Sequence, residues 1–539
     1  MSAGASPGGA GSRHRPFDSL AAVEAASAPG DTIVVQRSDP AAGPLDGGIA
    51  LKPRQRLLGA GRRVTSRRPR PRSPLITNTD PAQHDGDAVV LANRTTVRNL
   101  RIADAQRGAV YGNNVTGVRV IGNDVTGHNG SCAEGFHIPP FVAATNVPGV
   151  GLPISEGLVN GWAAIMVDAD HRRGSIKIAR NRVHDAHCGD GIDVRLSGDA
   201  RYRATLKGNK IHRLEQGSSF ESLLAIGLQT RDHARLRAEL DANAQTELGN
   251  PSEPNTLVFG ADTEGVFVNP VGPSKIDATI TGNTYTNPTG LGGFSGNGME
   301  MVSMGDGSVG RLVIRDSTFA GSPGDVLEQG GLGTNALLEL KLVDVVVAES
   351  SGFGNTGVLP FNNADCLLAG SLGAGNTIRL TMRRTTLANC ANNGLSIGSN
   401  VVNGSGATKS IEARIEDSEI RGNRGANVAV RNFTALEDLR LMIEDTVLRD
   451  NHGGGSGFAN FEAEELGATA SSAIDLGGGS LGSHGGNCIT GSTPAAAAIG
   501  FAVSAEGNWW GSPGGPAPGS TLGAALDHEP FLDAPPRGC

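Results

Sequence analysis

The chain has 539 residues, a formal net charge of −8 and no window near the roughly 18 consecutive apolar residues of a membrane span, so no spanning helix is expected. Gly accounts for 79 residues, about twice its average share, and no long stretch beyond the N-terminus shows a 3.6-residue apolar period, which excludes a helical bundle. The one basic run, Arg67-Arg68-Pro69-Arg70-Pro71-Arg72, reads as a solvated loop; without a basic stripe, no nucleic-acid partner is expected.

Residues 1–16 are Gly/Ser/Ala-rich without an apolar segment, which predicts a disordered N-terminus and shows no signal peptide. Asp18 or Ser19 then caps a short helix, Leu20-Ala21-Ala22-Val23-Glu24-Ala25-Ala26, ending before Pro29-Gly30. Leu20 and Val23 share one face, as a lid over an exposed core requires. Asp31-Thr32-Ile33-Val34-Val35 is the first predicted strand, followed by Gly48-Ile49-Ala50-Leu51 and Leu57-Leu58-Gly59-Ala60-Gly61.

From 128 to 160 a Gly/Pro-rich insertion interrupts the strands and brings His128, Glu134 and His137. Such an insertion bulges beside a rod and can wall a cleft. Immediately after it, Trp162 precedes the strand Ile165-Met166-Val167-Asp168, with His171, Arg172 and Arg173 beyond. The next coil supplies His184, Asp185, His187, Asp190, Asp193 and Arg195, and no other region gathers so many titratable residues. Stacking Val167 on Ile192, an offset of 25 residues, puts Asp168 over Asp193 and Asp170 over Arg195. Neighbouring parallel strands lie about 4.8 Å apart, so two outward carboxylates there would share a proton or a divalent cation such as calcium. The competing reading makes Asp190 and Asp193 corner and ladder residues of the rod, and His184 a solvated corner. The outward column, continued beyond Asp193 through Phe267, Glu300, Leu327, Leu367, Ser396, Ala429 and Ala459, passes from charged to apolar, as a covered or subunit-binding face would.

A strand unit returns along the chain: Val313-Ile314-Arg315-Asp316-Ser317-Thr318-Phe319, Lys341-Leu342-Val343-Asp344-Val345-Val346-Val347, Arg414-Ile415-Glu416-Asp417-Ser418-Glu419-Ile420 and Met442-Ile443-Glu444-Asp445-Thr446-Val447-Leu448. Shorter copies are Ile178-Ala179-Arg180-Asn181 and Ile280-Thr281-Gly282-Asn283. The step is 28 residues from Asp316 to Asp344 and again from Asp417 to Asp445. Short strands at that period predict an all-β solenoid: one single-stranded, right-handed parallel β-helix over residues 17–539, with a short N-terminal capping helix and a C-terminal cap over 484–539. Glu506-Gly507-Asn508-Trp509-Trp510-Gly511-Ser512-Pro513-Gly514-Gly515-Pro516 closes the rod. Cys488 and Cys539 bracket this cap, and bridging them would tie down the terminus; with an even count of six Cys this points to an oxidising compartment. No pairing is assigned to Cys132, Cys188, Cys366 and Cys390.

The Asn-Trp-Trp-Gly segment resembles the closing segment of bacterial parallel β-helix repeat proteins, and the opening resembles secreted proteins of the pectate-lyase-like superfamily. Asp190-Gly191-Ile192-Asp193 is similar to the Asp-Gly-Ile-Asp part of the polygalacturonase signature, although Gly189 replaces the usual Thr and no Asp-Asp pair follows one coil later. The resemblance implies a secreted carbohydrate-active enzyme with a polysaccharide or oligosaccharide substrate. For a lyase or epimerase, His184 or His187 is the base, Arg195 the charge clamp, and Asp168 and Asp193 hold the cation. For a glycoside hydrolase, Asp168 and Asp193 are the two carboxylates, with Asp190 matching a catalytic one. His137, Trp162, His171, Arg172 and Glu300 are the candidate substrate-binding residues. Only 4% of residues are aromatic, so platforms for sugar rings are few. That scarcity favours the alternative of a non-catalytic surface or adhesion rod, forming a homo-oligomer or binding a partner through its apolar face. An enzyme with a non-sugar substrate is the third reading.

Overall fold

The repeat is explained by one corner. In the computed structural model, which describes residues 1–37, 40–60, 74–138, 159–215, 217, 220, 222–249, 262–287, 296–351, 364–403, 406–451 and 458–539, each recurrent Asp ends a strand in the left-handed backbone region. Asp316, Asp344, Asp417 and Asp445 have φ of 47°, 56°, 49° and 49°, and Gly208 and Gly282 take the same place at 63° and 61°. Asp tolerates this conformation and Gly adopts it freely, which is why these types recur there. The chain turns through that single residue and starts the next strand. Three corners per coil stack the strands into three sheets that hold, among the described residues, sixteen, thirteen and seventeen strands, all pairings parallel but one, a parallel β-helix.

The residue after the left-handed corner points inward and forms a ladder. Asn181 Oδ1 accepts from the backbone N of Asn123 at 3.0 Å, Asn209 Oδ1 from Asn181 N at 3.1 Å, and Asn243 Oδ1 from Asn209 N at 3.0 Å. Further along, Thr446 N donates to Asn487 Oδ1 and Asn487 N to Asn508 Oδ1, each at 2.9 Å. The Asn of Asn-Trp-Trp-Gly is therefore the last rung, and Trp510 joins the core at the open end. These side chains satisfy backbone donors that a corner would otherwise bury unpaired.

Both ends are closed. Ser19 Oγ accepts from Ala22 N to cap α1 (Leu20–Ala26), whose Leu20 and Val23 are buried in the core, as the sequence predicts. Within residues 1–16, Met1 lies against the first coil: it is buried, its amine donates to Val34 O at 2.8 Å, and Gln36 N donates to Met1 O, while most of residues 4–15 are exposed. This strand-like contact covers an edge that would otherwise expose free backbone groups. The 484–539 cap is itself built partly of coil, since Cys488–Thr490, Ala496–Ile499 and Val503–Ala505 extend the three sheets.

Three disulfides staple the rod: Cys132–Cys188, Cys366–Cys390 and the predicted Cys488–Cys539. Mapping a non-reduced digest is expected to yield these three cross-linked peptides; a free Cys539 thiol would refute the terminal staple. Among the described residues no helix is long and apolar enough to cross a membrane. The run 67–72 lies outside the described residues.

On the outer face of the first sheet, Asp277, Arg311, Glu339, Arg379 and Glu412 occupy one column on successive coils. Their charges alternate. Arg379 reaches Glu339 at 2.8 Å and Glu412 at 3.4 Å, while Arg311 pairs with Glu339 and lies 3.8 Å from Asp277.

Candidate anion-binding cleft and covered acidic pair

Register decides which candidate residues meet. Ile165 pairs with Ile192, Met166 with Asp193 and Asp168 with Arg195, so the coils are offset by 27 residues rather than 25. Asp168 therefore lies over Arg195, not Asp193, and the expected carboxylate pair at one rung does not form. Ile165, Val167, Ile192, Val194 and Leu196 all point into the core, which turns Asp168, Asp193 and Arg195 to the outer face.

The 128–160 insertion lies across that face, with its residues 139–158 outside the described ones. Glu134–His137 and Val159–Gly161 run antiparallel, Cys132 is bridged to Cys188, and Phe136 packs on Phe267, Leu224 and Val302. Asp193 lies under this cover. It is fully buried, both carboxylate oxygens lack a hydrogen-bond partner, and Gly227 leaves the room it occupies. A Cβ at Gly227 would sit 2.5 Å from Asp193 Oδ1 and 3.2 Å from the Phe136 ring. Burial pushes the Asp193 carboxyl up to about 8; Arg195 opposes the rise and Asp168 adds to it. Asp190 is raised well above the usual carboxylate range by burial and by Asp193. The pair keeps a proton at neutral pH.

Asp190 has a structural task. Its Oδ1 accepts from Leu224 N at 2.7 Å, and the same bond to the equivalent residue of the following coil is made by Asp87 to Gly108, Asp325 to Asp365, Asp365 to Asn393 and Asn393 to Ala426. Asp190-Gly191-Ile192-Asp193 is thus one copy of a corner unit that also reads Glu264-Gly265-Val266-Phe267, Asn297-Gly298-Met299-Glu300 and Asp325-Val326-Leu327-Glu328. The polygalacturonase-like tetrapeptide coincides with this corner. Aligned on it, the outward column runs Asp193, Gly227, Phe267, Glu300, Glu328, Leu368, Ser396, Ala429 and Glu462. Leu327 and Leu367 point inward instead, and Ala459 gives way to Glu462. The expected apolar stripe is broken by carboxylates, because the count started from Gly324 rather than from the polar corner residue Asp325.

The remaining candidates separate. His184 is on the second sheet, its Nε2 3.0 Å from Asp124 Oδ1 and its ring stacked on His212. His187 is an exposed corner residue 3.1 Å from Glu215. Neither faces Asp168. His128 is buried with Nε2 against Asp190 O, and burial presses it down to about 4, so it is neutral. Trp162 is buried beside Tyr111 and 4.3 Å below the Arg107 guanidinium, which makes it part of the cover rather than a sugar platform. Glu300 lies further along the rod. His171, hydrogen-bonded to Asp170, and Arg172 are exposed at the corner beyond Asp168.

What the fold does assemble is a cleft of about 320 Å³ lined by Asn113, His137, Asp168, Asp170, Arg195, Ser197, Gln229 and Arg231. Asp168 receives Arg195 Nε at 2.7 Å and Nη2 at 2.8 Å, a bidentate pair, and the Tyr111 hydroxyl at 3.4 Å. Burial opposes the Arg195 charge, but Asp168 outweighs it and holds the guanidinium above its ordinary value. The insertion is tied to the cleft by its carbonyls: Gly135 O accepts from Arg195 and His137 O from Arg231 and Gln229. Arg231 also donates to Gln229 Oε1 at 2.9 Å, yet among the described residues no carboxylate lies within ion-pair distance of it. Burial and the nearby Arg195 charge lower its pKa. Arg231 and Gln229 were not among the sequence candidates, since a single Arg after a strand carries no pattern.

Both oxygens of Asp168 are taken by Arg195 and Asp193 lies under the hairpin, so the pair expected to hold a cation is not assembled. Among the described residues, no group of three or more metal-ligating side chains converges. The fold and site define a disulfide-stapled parallel β-helix with an arginine-lined cleft on its third sheet. Compared with family descriptions, curated proteins and solved structures, the chain matches none.

Proposed function

We propose that the protein is a secreted carbohydrate-active enzyme of the pectate-lyase-like kind, acting on a uronate-containing polysaccharide by elimination or epimerisation. The observation that carries this reading is Arg231, a half-buried guanidinium at the cleft with no carboxylate partner among the described residues. A substrate carboxylate supplies the missing charge and takes a planar, bidentate contact that a neutral sugar cannot make. Arg195, already neutralised by Asp168, adds a second positive edge. His137 is the cleft side chain placed to take the proton beside that carboxylate; Glu134 lies 3.8 Å from it. In the elimination, the electrons of that C–H bond form the new double bond and the glycosidic C–O bond breaks, its oxygen then taking a proton. The arginines hold the charge that develops on the carboxylate meanwhile. The three disulfides support an extracytoplasmic location.

Arg231→Ala is expected to weaken binding of a galacturonate oligomer by about tenfold or more, the order of a lost charge-assisted contact, while the melting temperature stays near wild type. Equal affinities, measured calorimetrically, would take the substrate out of this cleft. The second reading, a non-catalytic assembly rod, has its candidate contacts in Leu466, Ile499 and Leu522, large apolar side chains exposed toward the C-terminal end.

A further inference from the structure

Around the corner from the cleft, the same coils carry an arrangement invisible as a sequence run. Arg173, Arg201, Arg235 and Lys275 are register partners on four successive strands of the first sheet. Two residues on, Arg203 and Arg237 form a second column beside them. The five arginines are exposed, and all six side chains alternate with inward residues such as Ile176, Leu236 and Ile276. At about 4.8 Å per strand, the longer column extends roughly 14 Å along the rod.

Like charges stacked at this spacing repel and are destabilising unless something neutralises them. The rest of the sheet shows the usual remedy. From Asp277 onward the Arg203–Arg237 column continues as the alternating, ion-paired ladder to Glu412. Among the described residues, none of the five arginines has a carboxylate within ion-pair distance; Lys275 has Asp277 at 3.1 Å. Of the neighbouring acids, Asp277 is shared by Lys275 and Arg311, Asp232 accepts from Gly198 N and Asp170 is held by His171, while Asp199 and Glu239 stand two residues from Arg201 and Arg237 without an ion pair to them. In a chain of net charge −8, a block of unneutralised arginines on a flat rigid sheet is a local reversal of sign.

We propose that this face of the first sheet binds an extended polyuronate chain, separately from the cleft, and so holds the polymer against the rod. Its occupant must present many negative charges in a row. Among the described residues the patch has no exposed aromatic side chain, Tyr202 being buried with its hydroxyl on Val115 O, so these residues offer no stacking platform of the kind single-stranded nucleic acid uses. The choice of uronate among polyanions rests on the reading of the cleft, whereas the binding surface itself does not.

The test is titration of the full-length protein with long polygalacturonate over a range of salt. Wild type is expected to bind with an affinity that falls steeply as salt rises, and Arg201→Glu/Arg235→Glu to lose about tenfold or more at low salt. Arg201→Glu/Arg235→Glu should leave the affinity for a short galacturonate oligomer, which fills the cleft alone, within about threefold of wild type, so failure of the cleft and of the patch are read separately. Unchanged melting of the double variant confirms that the rod is intact. Equal polymer affinity of wild type and double variant would overturn the proposal, as would tighter binding of a thymidine oligonucleotide than of polygalacturonate.

Discussion

Asp193→Asn is expected to stabilise the protein at neutral pH, an unusual outcome for a change at a fully buried position. Folding places the Asp193 carboxyl beneath the insertion hairpin with no partner for either oxygen, and burial pushes it up to about 8. An unfolded carboxyl titrates near 3.9, so wild type must take up a proton on folding at any pH between these values. For a raised carboxyl, stability is greatest below the unfolded value and declines as pH rises toward the folded one. Over the roughly three pH units up to pH 7 this amounts to on the order of 4 kcal/mol. The Asn amide needs no proton and nearly matches the volume. The melting temperature of the variant should therefore exceed wild type at pH 7 to 8, with the gap closing toward pH 4. Parallel pH profiles would mean that the carboxyl is ionised in the folded state.

The opposite effect is expected at the ladder. Asn209 Oδ1 accepts from both N and Nδ2 of Asn181, while its own Nδ2 donates to Ile178 O at 3.0 Å and to Asn243 Oδ1 at 2.9 Å. Asn209→Ala leaves the backbone N–H of Asn181 and one N–H of its amide without acceptors inside the core, where water does not reach, while the other amide N–H keeps Val120 O at 2.9 Å. At about 1–3 kcal/mol for an orphaned buried group, partly relieved by relaxation, the loss should be roughly 3–4 kcal/mol. Chemical denaturation reads it directly. A loss below about 1 kcal/mol would mean that the ladder is dispensable.

The ladder also shows why the fold was legible in the sequence. Arg180-Asn181 and Gly282-Asn283 carry a left-handed residue followed by an inward polar one, and the same pair recurs as Asp316-Ser317, Asp417-Ser418 and Asp445-Thr446. Backbone geometry restricts both positions to a few residue types, so the signal survives in a single chain. The helix Leu20–Ala26 and the Asn508-Trp509-Trp510 closure were readable for the same reason, since an end cap needs a particular chemistry at a particular place.

The site was less legible because it depends on register between coils of unequal length. The usual guide, apolar inward and polar outward, fails where the insertion covers the outer face: Met166, Leu224 and Phe267 look inward by composition yet point outward. Setting Asp168 over Asp193 instead of Arg195 is a slip of two residues, which keeps the outward face and misses only the rung. His184 and His187 follow Asp168 closely in sequence, but two corners and the first-sheet strand Arg173–Ala179 intervene, which puts His184 on the second sheet and His187 just past it. Arg231 joined the site only through the insertion's carbonyls, and the stacked arginines of the first sheet are separated by whole coils.

The alternating column from Asp277 to Glu412 gives the rod a parity of its own. Removing the coil that carries Glu339 would set Arg311 against Arg379, whereas removing that coil and the next would set Arg311 against Glu412. The column behaves like a two-letter code read along the axis, so this part of the rod can be shortened or lengthened in pairs of coils without setting like charges together. Charge order thus imposes on the chain a unit of growth twice as long as the one its backbone repeats.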